Sequence, residues 1–168
     1  MLNSIFLGAA GNYDIHGIRV NFVDNAGDVK VFENSRFGRA ANLCLSSTAV
    51  KLLTLGYLHL FVHEMGHAFA AQWQGKNPIV NVYTQSCSGE TIHSSVNKFT
   101  ALAGPLAGMT LELIKLIGAI ATAILFPPIL GIPLGMFVGS GAAFWIFGEL
   151  MYALVGHGDW DVIRNPIT

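Results

Sequence analysis

Charge is scarce in this chain. Aspartate, glutamate, lysine and arginine make up 11% of its 168 residues, against 52% hydrophobic residues, roughly half the charged share of ~25% usual for soluble domains. One domain fits the length, but a soluble domain of this size could hardly bury so much apolar side chain. The formal net charge of −1 shows no basic surplus, so no nucleic-acid partner is expected. Two cysteines, Cys44 and Cys87, are too few for a disulfide framework or a cysteine-based zinc site. Internal repeats, charge blocks and low-complexity tracts are absent too. A basic n-region is missing from "MLNSIFLGAAGN", which argues against a cleaved signal peptide and leaves an apolar stretch able to touch a membrane surface.

The charges that exist are unevenly spread. Residues 1–39 carry Asp14, Arg19, Asp24, Asp28, Lys30, Glu33, Arg36 and Arg39, whereas residues 99–156 carry only Glu112, Lys115 and Glu149. Leu52 to Gln74 is one apolar candidate span, reaching about 34 Å at ~1.5 Å per residue, enough to cross a hydrocarbon core. Residues 99–126 and 129–156 are two more, separated by Pro127-Pro128, which suit a helix end. Glu112 and Lys115, three apart on one face, are expected to pair. Gly104 and Gly108 form GxxxG, and Gly131, Gly135 and Gly139 recur at the same interval, a spacing that lets helices approach closely within the chain or across a homo-oligomer. Outside the spans, residues 16–34 alternate apolar and polar around "DNAGD" and read as a β-hairpin, and residues 78–96 read as a second one around "SCSG". The expected fold is mainly α: a polytopic, multi-pass membrane protein with about three transmembrane helices plus small β-hairpins at the N-terminus and between the first two spans. Basic residues before the first span favour a cytoplasmic N-terminus.

Inside the first span stands "FVHEMGHAFAA", residues 61–71. His63 and His67 are four apart and so present two imidazoles to one side of a helix, with Glu64 beside the first. This is HExxH, whose chemistry suits zinc: neutral imidazole is a good ligand, a bound ion lowers the pKa of water toward ~7, and a nearby carboxylate can take the proton. The apolar setting strengthens the reading, because each ionisable side chain at bilayer depth costs about 2.5–3.5 kcal/mol even on the lenient insertion scale. His59 shares the helix face, but it lies about 12 Å along the axis from His67, too far for both to bind one ion, and is expected as a neighbour of the site. A third ligand must come from elsewhere. Glu149, His157, Asp159 and Asp161, the last three in "GHGDWD", are the candidates.

Taken together, an apolar HExxH helix, a following span opening with "ALAGPLAGM" and an aspartate after the next span resemble the site-2 protease family of intramembrane zinc metalloproteases. The resemblance covers residues 52–163, with residues 1–39 as an N-terminal hairpin or interfacial segment of the same single domain. It implies one Zn2+ per chain held by His63, His67 and Asp159, with Glu64 as general base in peptide-bond hydrolysis. Its implied substrate is a transmembrane protein or peptide within the lipid bilayer. The chain has Gly158-Asp159-Trp160 where the family usually has Leu-Asp-Gly, and Gly108 where an asparagine is common. Three other readings fit parts of the pattern: a membrane zinc peptidase resembling the prenyl-protein (CAAX) endopeptidases with Glu149 as third ligand, a soluble zinc peptidase with apolar core helices, and an inactive membrane-binding or regulatory homologue.

Overall fold

A computed structural model describes residues 1–25, 47–86, 88–155 and 159–165. Along the chain come α1 (Leu2–Leu7), β1 (Gly11–Ile15), β2 (Ile18–Val23), α2 (Thr48–Leu53) and α3 (Gly56–Trp73). These are followed by β3 (Ile79–Tyr83), β4 (Ser88–Ile92), α4 (Lys98–Leu125), α5 (Pro128–Val155) and α6 (Asp159–Arg164). The described residues are mainly helical, with one small sheet.

The strand expected within residues 16–34 is present as β2, but its hairpin partner precedes it. His16 and Gly17 join β1 to β2 with φ of 53° and 83°, the paired positive values of a type I′ turn that glycine accepts without strain. The Gly17 N–H donates to Asp14 Oδ1 at 2.9 Å and closes the turn. On its other edge β2 pairs in parallel with β3, in register from Arg19↔Ile79 to Val23↔Tyr83. With both edges occupied, β2 has none left for a strand after "DNAGD". Residues 26–46, which include most of that segment and Cys44, lie outside the described residues. The second expected hairpin is found as β3 and β4, antiparallel from Tyr83↔Ser88 to Ile79↔Ile92; Cys87, between them, lies outside the described residues. The sheet order is β1-β2-β3-β4.

Period-2 alternation decides which face of the sheet is buried. Ile18, Val20 and Phe22 of β2 and Val80 and Val82 of β3 point to the same side and pack on Met65 and Ala68 of α3. The intervening residues face outward, where Asn21 Nδ2 donates to Asn81 Oδ1 at 2.8 Å.

The expected span from Leu52 to Gln74 is not one helix. It breaks at Thr54–Leu55, where Leu55 takes a left-handed conformation with φ 54° and ψ 41°. The break turns α2 aside, so that Lys51, 2% exposed, reaches the β3–β4 turn and donates to the carbonyls of Thr84 at 2.7 Å and Gln85 at 3.0 Å. What remains as α3 has 18 residues, about 27 Å at ~1.5 Å each. It lies between the sheet and α4 rather than on the outside of a bundle.

Among the described residues, two helices are long and apolar enough to cross a membrane, α4 with mean hydropathy 1.7 and α5 with 1.8. Their ends fall within a residue of the expected spans. A capping box starts α4: Thr100 N–H donates to Asn97 Oδ1 at 2.9 Å, and Asn97 N–H donates to Thr100 Oγ1 at 3.0 Å. Pro128 occupies the first position of α5, where its missing N–H goes unneeded. The two helices pack closely through Gly131 and Gly135; a Cβ at Gly135 would stand 2.6 Å from the Ala119 carbonyl oxygen. Their outer faces are bare, with Ile117, Ile124, Leu125, Ile129, Met136 and Leu154 all more than 65% exposed.

Replacing Lys51 by methionine should lower stability by about 1–3 kcal/mol, because in the β3–β4 turn the Gln85 carbonyl loses its donor and the Thr84 carbonyl is left with the Tyr57 hydroxyl at 3.2 Å alone. Thermal unfolding in detergent, compared with wild type, measures this. An unchanged midpoint would show that the turn does not depend on Lys51.

Candidate metal centre

His59, His63 and His67 follow one another at four-residue steps on α3, so their rings line one side of the helix. That side faces α4, α5 and α6. His63 Nε2 and His67 Nε2 are 3.2 Å apart, and Asp159 Oδ2, from the start of α6, is 3.1 Å from the first and 3.0 Å from the second. The three atoms form a nearly equilateral triangle. Bonds of about 2.0–2.2 Å, usual for imidazole and carboxylate ligands, set the edge of a regular coordination tetrahedron at roughly 3.3–3.6 Å, so the triangle matches three of its corners compressed by a few tenths of an ångström. These three residues could hold a metal ion.

Each histidine is oriented from behind. His67 Nδ1 is 2.6 Å from the Thr100 carbonyl oxygen, an acceptor that requires the proton on Nδ1 and leaves the Nε2 lone pair free. His63 Nδ1 is 3.2 Å from Glu149 Oε1, which assigns the same tautomer. This pairing of a ligating nitrogen with a hydrogen-bonded second nitrogen is how proteins commonly present histidine to metals. Without an ion, protonated His63 and His67 outweigh the burial that opposes ionisation and hold the Asp159 carboxyl well below the usual carboxylate range; a cation bound among the three atoms would take the place of those Nε2 protons and favour the same anionic carboxylate.

Glycines make room for these rings. A Cβ at Gly104 of α4 would lie 2.1 Å from His67 Nε2, so only glycine lets α4 approach the imidazole. On the other side of α3, Gly89 of β4 covers Glu64, and a Cβ there would lie 2.6 Å from Glu64 Cγ. Thr91, two residues along β4, donates its hydroxyl proton to Glu64 Oε2 at 2.7 Å and lies 3.0 Å from the Glu64 carbonyl oxygen. Glu64 is thus buried, anchored on one oxygen, and three residues from His67 on the helix surface.

Among the other third-ligand candidates, Asp161 points away and accepts from Asn165 Nδ2 at 2.9 Å. His157 lies outside the described residues. Glu149 meets His63 from the Nδ1 side, and with His59 and His63 it makes a second group whose atoms are close enough for an ion. The expected Glu112–Lys115 pair is present at 2.7 Å, but Glu112 also binds His59 Nδ1 at 2.8 Å. Sequence reasoning did not find that contact, although a carboxylate in a lipid-like helix signals a buried partner. Thr91 and the Thr100 carbonyl were missed as well: a threonine on a strand and a backbone oxygen carry no sequence signal of this kind. No protein-family model, curated protein or solved structure matches this chain.

Gly104→Ala should abolish metal binding while leaving the helices intact, since alanine is the better helix former yet its methyl group collides with His67 Nε2. Metal content of the purified variant, set beside its circular dichroism, checks this. Retention of a full complement of metal would refute the close approach of α4.

Proposed function

We propose that the chain is an intramembrane zinc metalloprotease that hydrolyses peptide bonds of membrane-embedded proteins or peptides. The observation that carries this reading is the joining of two HExxH imidazoles and Asp159 at one point, beside a buried glutamate, in a protein whose two longest helices turn bare apolar faces outward. Only 17% and 22% of the apolar windows of α4 and α5 are buried, which fits lipid and does not fit the core helices of a soluble peptidase. In this reading α4 and α5 cross the bilayer and α3 enters it behind them, its histidines and Glu64 shielded by protein.

His63, His67 and Asp159 would hold the ion. Two nitrogens and one oxygen suit zinc and leave a fourth position open. Zinc, when bound, polarises the scissile carbonyl and brings the pKa of a water toward about 7. Glu64 takes the proton from that water and returns it to the departing amine. Thr91 keeps the Glu64 carboxylate turned to one rotamer by occupying Oε2, so the other oxygen is the one available for proton transfer. Hydrolysis adds the elements of water across the C–N bond, and Glu64 ends in the state in which it began.

The substrate has to be extended, because an intact helix hides its carbonyls. Among the described residues, β4 is paired on one edge only, by β3, and its Gly89 and Thr91 touch Glu64. A substrate strand added to the free edge of β4 would run beside the site, the geometry of β-strand addition.

Two experiments test the proposal. Glu64→Gln should bind zinc as wild type does and cleave a membrane peptide about 10²–10⁴-fold more slowly; a variant that cleaves at the wild-type rate disproves the assigned base. Proline placed successively at Ser88 to Ile92 should depress cleavage wherever it removes an N–H from the free edge, with bound zinc unchanged. Cleavage indifferent to every proline would rule out strand addition.

A further inference from the structure

A row of buried ionisable groups leads away from the candidate metal centre, and the hydrolytic steps above use only its last member. Lys115 Nζ lies 2.7 Å from Glu112 Oε2 and donates to the Thr54 carbonyl at 3.2 Å, the oxygen left free where α2 and α3 part. Glu112 Oε1 is 2.8 Å from His59 Nδ1. His59 Nε2 is 3.7 Å from Glu149 Oε1, and that same oxygen is 3.2 Å from His63 Nδ1. The other Glu149 oxygen accepts from Trp160 Nε1 at 3.4 Å. Trp145 stacks on His59 with ring centroids 4.3 Å apart and planes 14° from parallel. No side chain in the row is more than 13% exposed.

Burying such groups is costly unless each is partnered, so their arrangement asks for a reason. The two HExxH histidines supply it. His67 is oriented by a backbone carbonyl, which α4 fixes. His63, one turn earlier, meets α4 at Gly108, where a Cβ would lie 3.4 Å from His63 Nδ1 and 3.1 Å from His59 Cε1. At this level α4 is occupied by accommodating His59, and the acceptor for His63 comes from α5.

We propose that Glu149 is a positioning residue of the metal centre. Its carboxylate accepts the Nδ1 proton of His63 and holds His63 Nε2 toward the point shared with His67 and Asp159. Trp160 Nε1 donates to the other Glu149 oxygen, and His59, itself tied through Glu112 and Lys115 to α4 and the α2–α3 break, packs beside the carboxylate with its Nε2 3.7 Å from Oε1. The inference rests on the metal-binding part of the reading above and not on proteolysis. It assigns Glu149 a role behind the ligand rather than on the ion, and it explains why a small residue stands at position 108. The competing arrangement is a second ion held by His59, His63 and Glu149. That would require His63 to bridge two ions through both nitrogens, giving up the Nδ1 proton it donates to Glu149.

The test uses the full chain in detergent, stripped by a chelator and titrated with Zn2+ and with Co2+, whose visible absorption reports tetrahedral coordination. Glu149→Gln is expected to keep one metal per chain and a tetrahedral Co2+ spectrum, with zinc affinity weakened about 10–100-fold. Asp159→Asn is expected to lose that spectrum. Glu149→Asp, which retains the charge but withdraws the carboxylate, should also weaken zinc, and serves if the glutamine variant does not fold. Unchanged affinity in either Glu149 variant overturns the proposal. So does a wild-type protein with two metals that falls to one in Glu149→Gln, or a Co2+ spectrum lost with Glu149 and kept without Asp159. None of these readouts involves cleavage: a wild type that binds zinc in this way but cuts no membrane peptide defeats the protease reading and leaves Glu149 in place.

Discussion

The contact between α3 and α4 is the constraint on which the remaining structure depends. Gly66 of α3 lies against the Ala103 carbonyl, with 2.5 Å between that oxygen and a would-be Cβ, and Gly104 of α4 lies against His67. At that separation the Thr100 carbonyl reaches His67 Nδ1 at 2.6 Å and sets the ring. A wider gap would leave a buried carbonyl and a buried imidazole without each other, each at a cost of about 1–3 kcal/mol. In an apolar environment, where packing and hydrogen bonding rather than solvent exclusion hold helices together, small residues and polar partners have to occur at the same level. Here they do. The opposite face of α3 is set by the sheet, whose buried Ile18, Val20, Phe22, Val80 and Val82 press on Met65 and Ala68. The histidine helix is therefore fixed from two sides before any ion is considered.

Much of this could be read from the sequence, and the failures have identifiable causes. The limits of α4 and α5 were plain because long apolar runs end where Pro127-Pro128 and the capping residues Asn97 and Thr100 intervene. The β3–β4 hairpin followed from β-branched residues on either side of a turn signal. The first hairpin went astray because "DNAGD" is a stronger turn signal than His16-Gly17, and a histidine at positive φ is not what local preference suggests. The break at Leu55 left only a weak trace, because Thr54 and Gly56 are poor helix formers that an apolar run usually overrides, and the interruption is explained by distant partners, Lys51 with the β3–β4 turn and Lys115 with the Thr54 carbonyl.

The candidate site divides in the same way. His63, Glu64 and His67 were legible because four-residue spacing is local. Asp159 and Asp161 differ by two residues, close to 200° on a helix, so only one of them can face a given point; which one does so depends on how α6 docks, and that is a tertiary fact. The cluster of His59, Glu112 and Glu149 was visible only as isolated polar residues in apolar helices. Their convergence joins three helices, and the sequence records no distance between helices.

The separation along the chain has its own consequence. Asp159 is 96 residues from His63 and 92 from His67, and between them lie the β3–β4 hairpin and both long apolar helices. A nascent chain whose last long helix is unfinished or misplaced has both histidines and Glu64 but no carboxylate to complete the triangle. Closing so long a loop is among the slower and entropically more demanding events in folding. Completion of the three-residue cluster is thereby deferred until the whole helical assembly is in place, so that during biosynthesis the polypeptide carries only a half-site, two imidazoles without their carboxylate, past every other protein it meets.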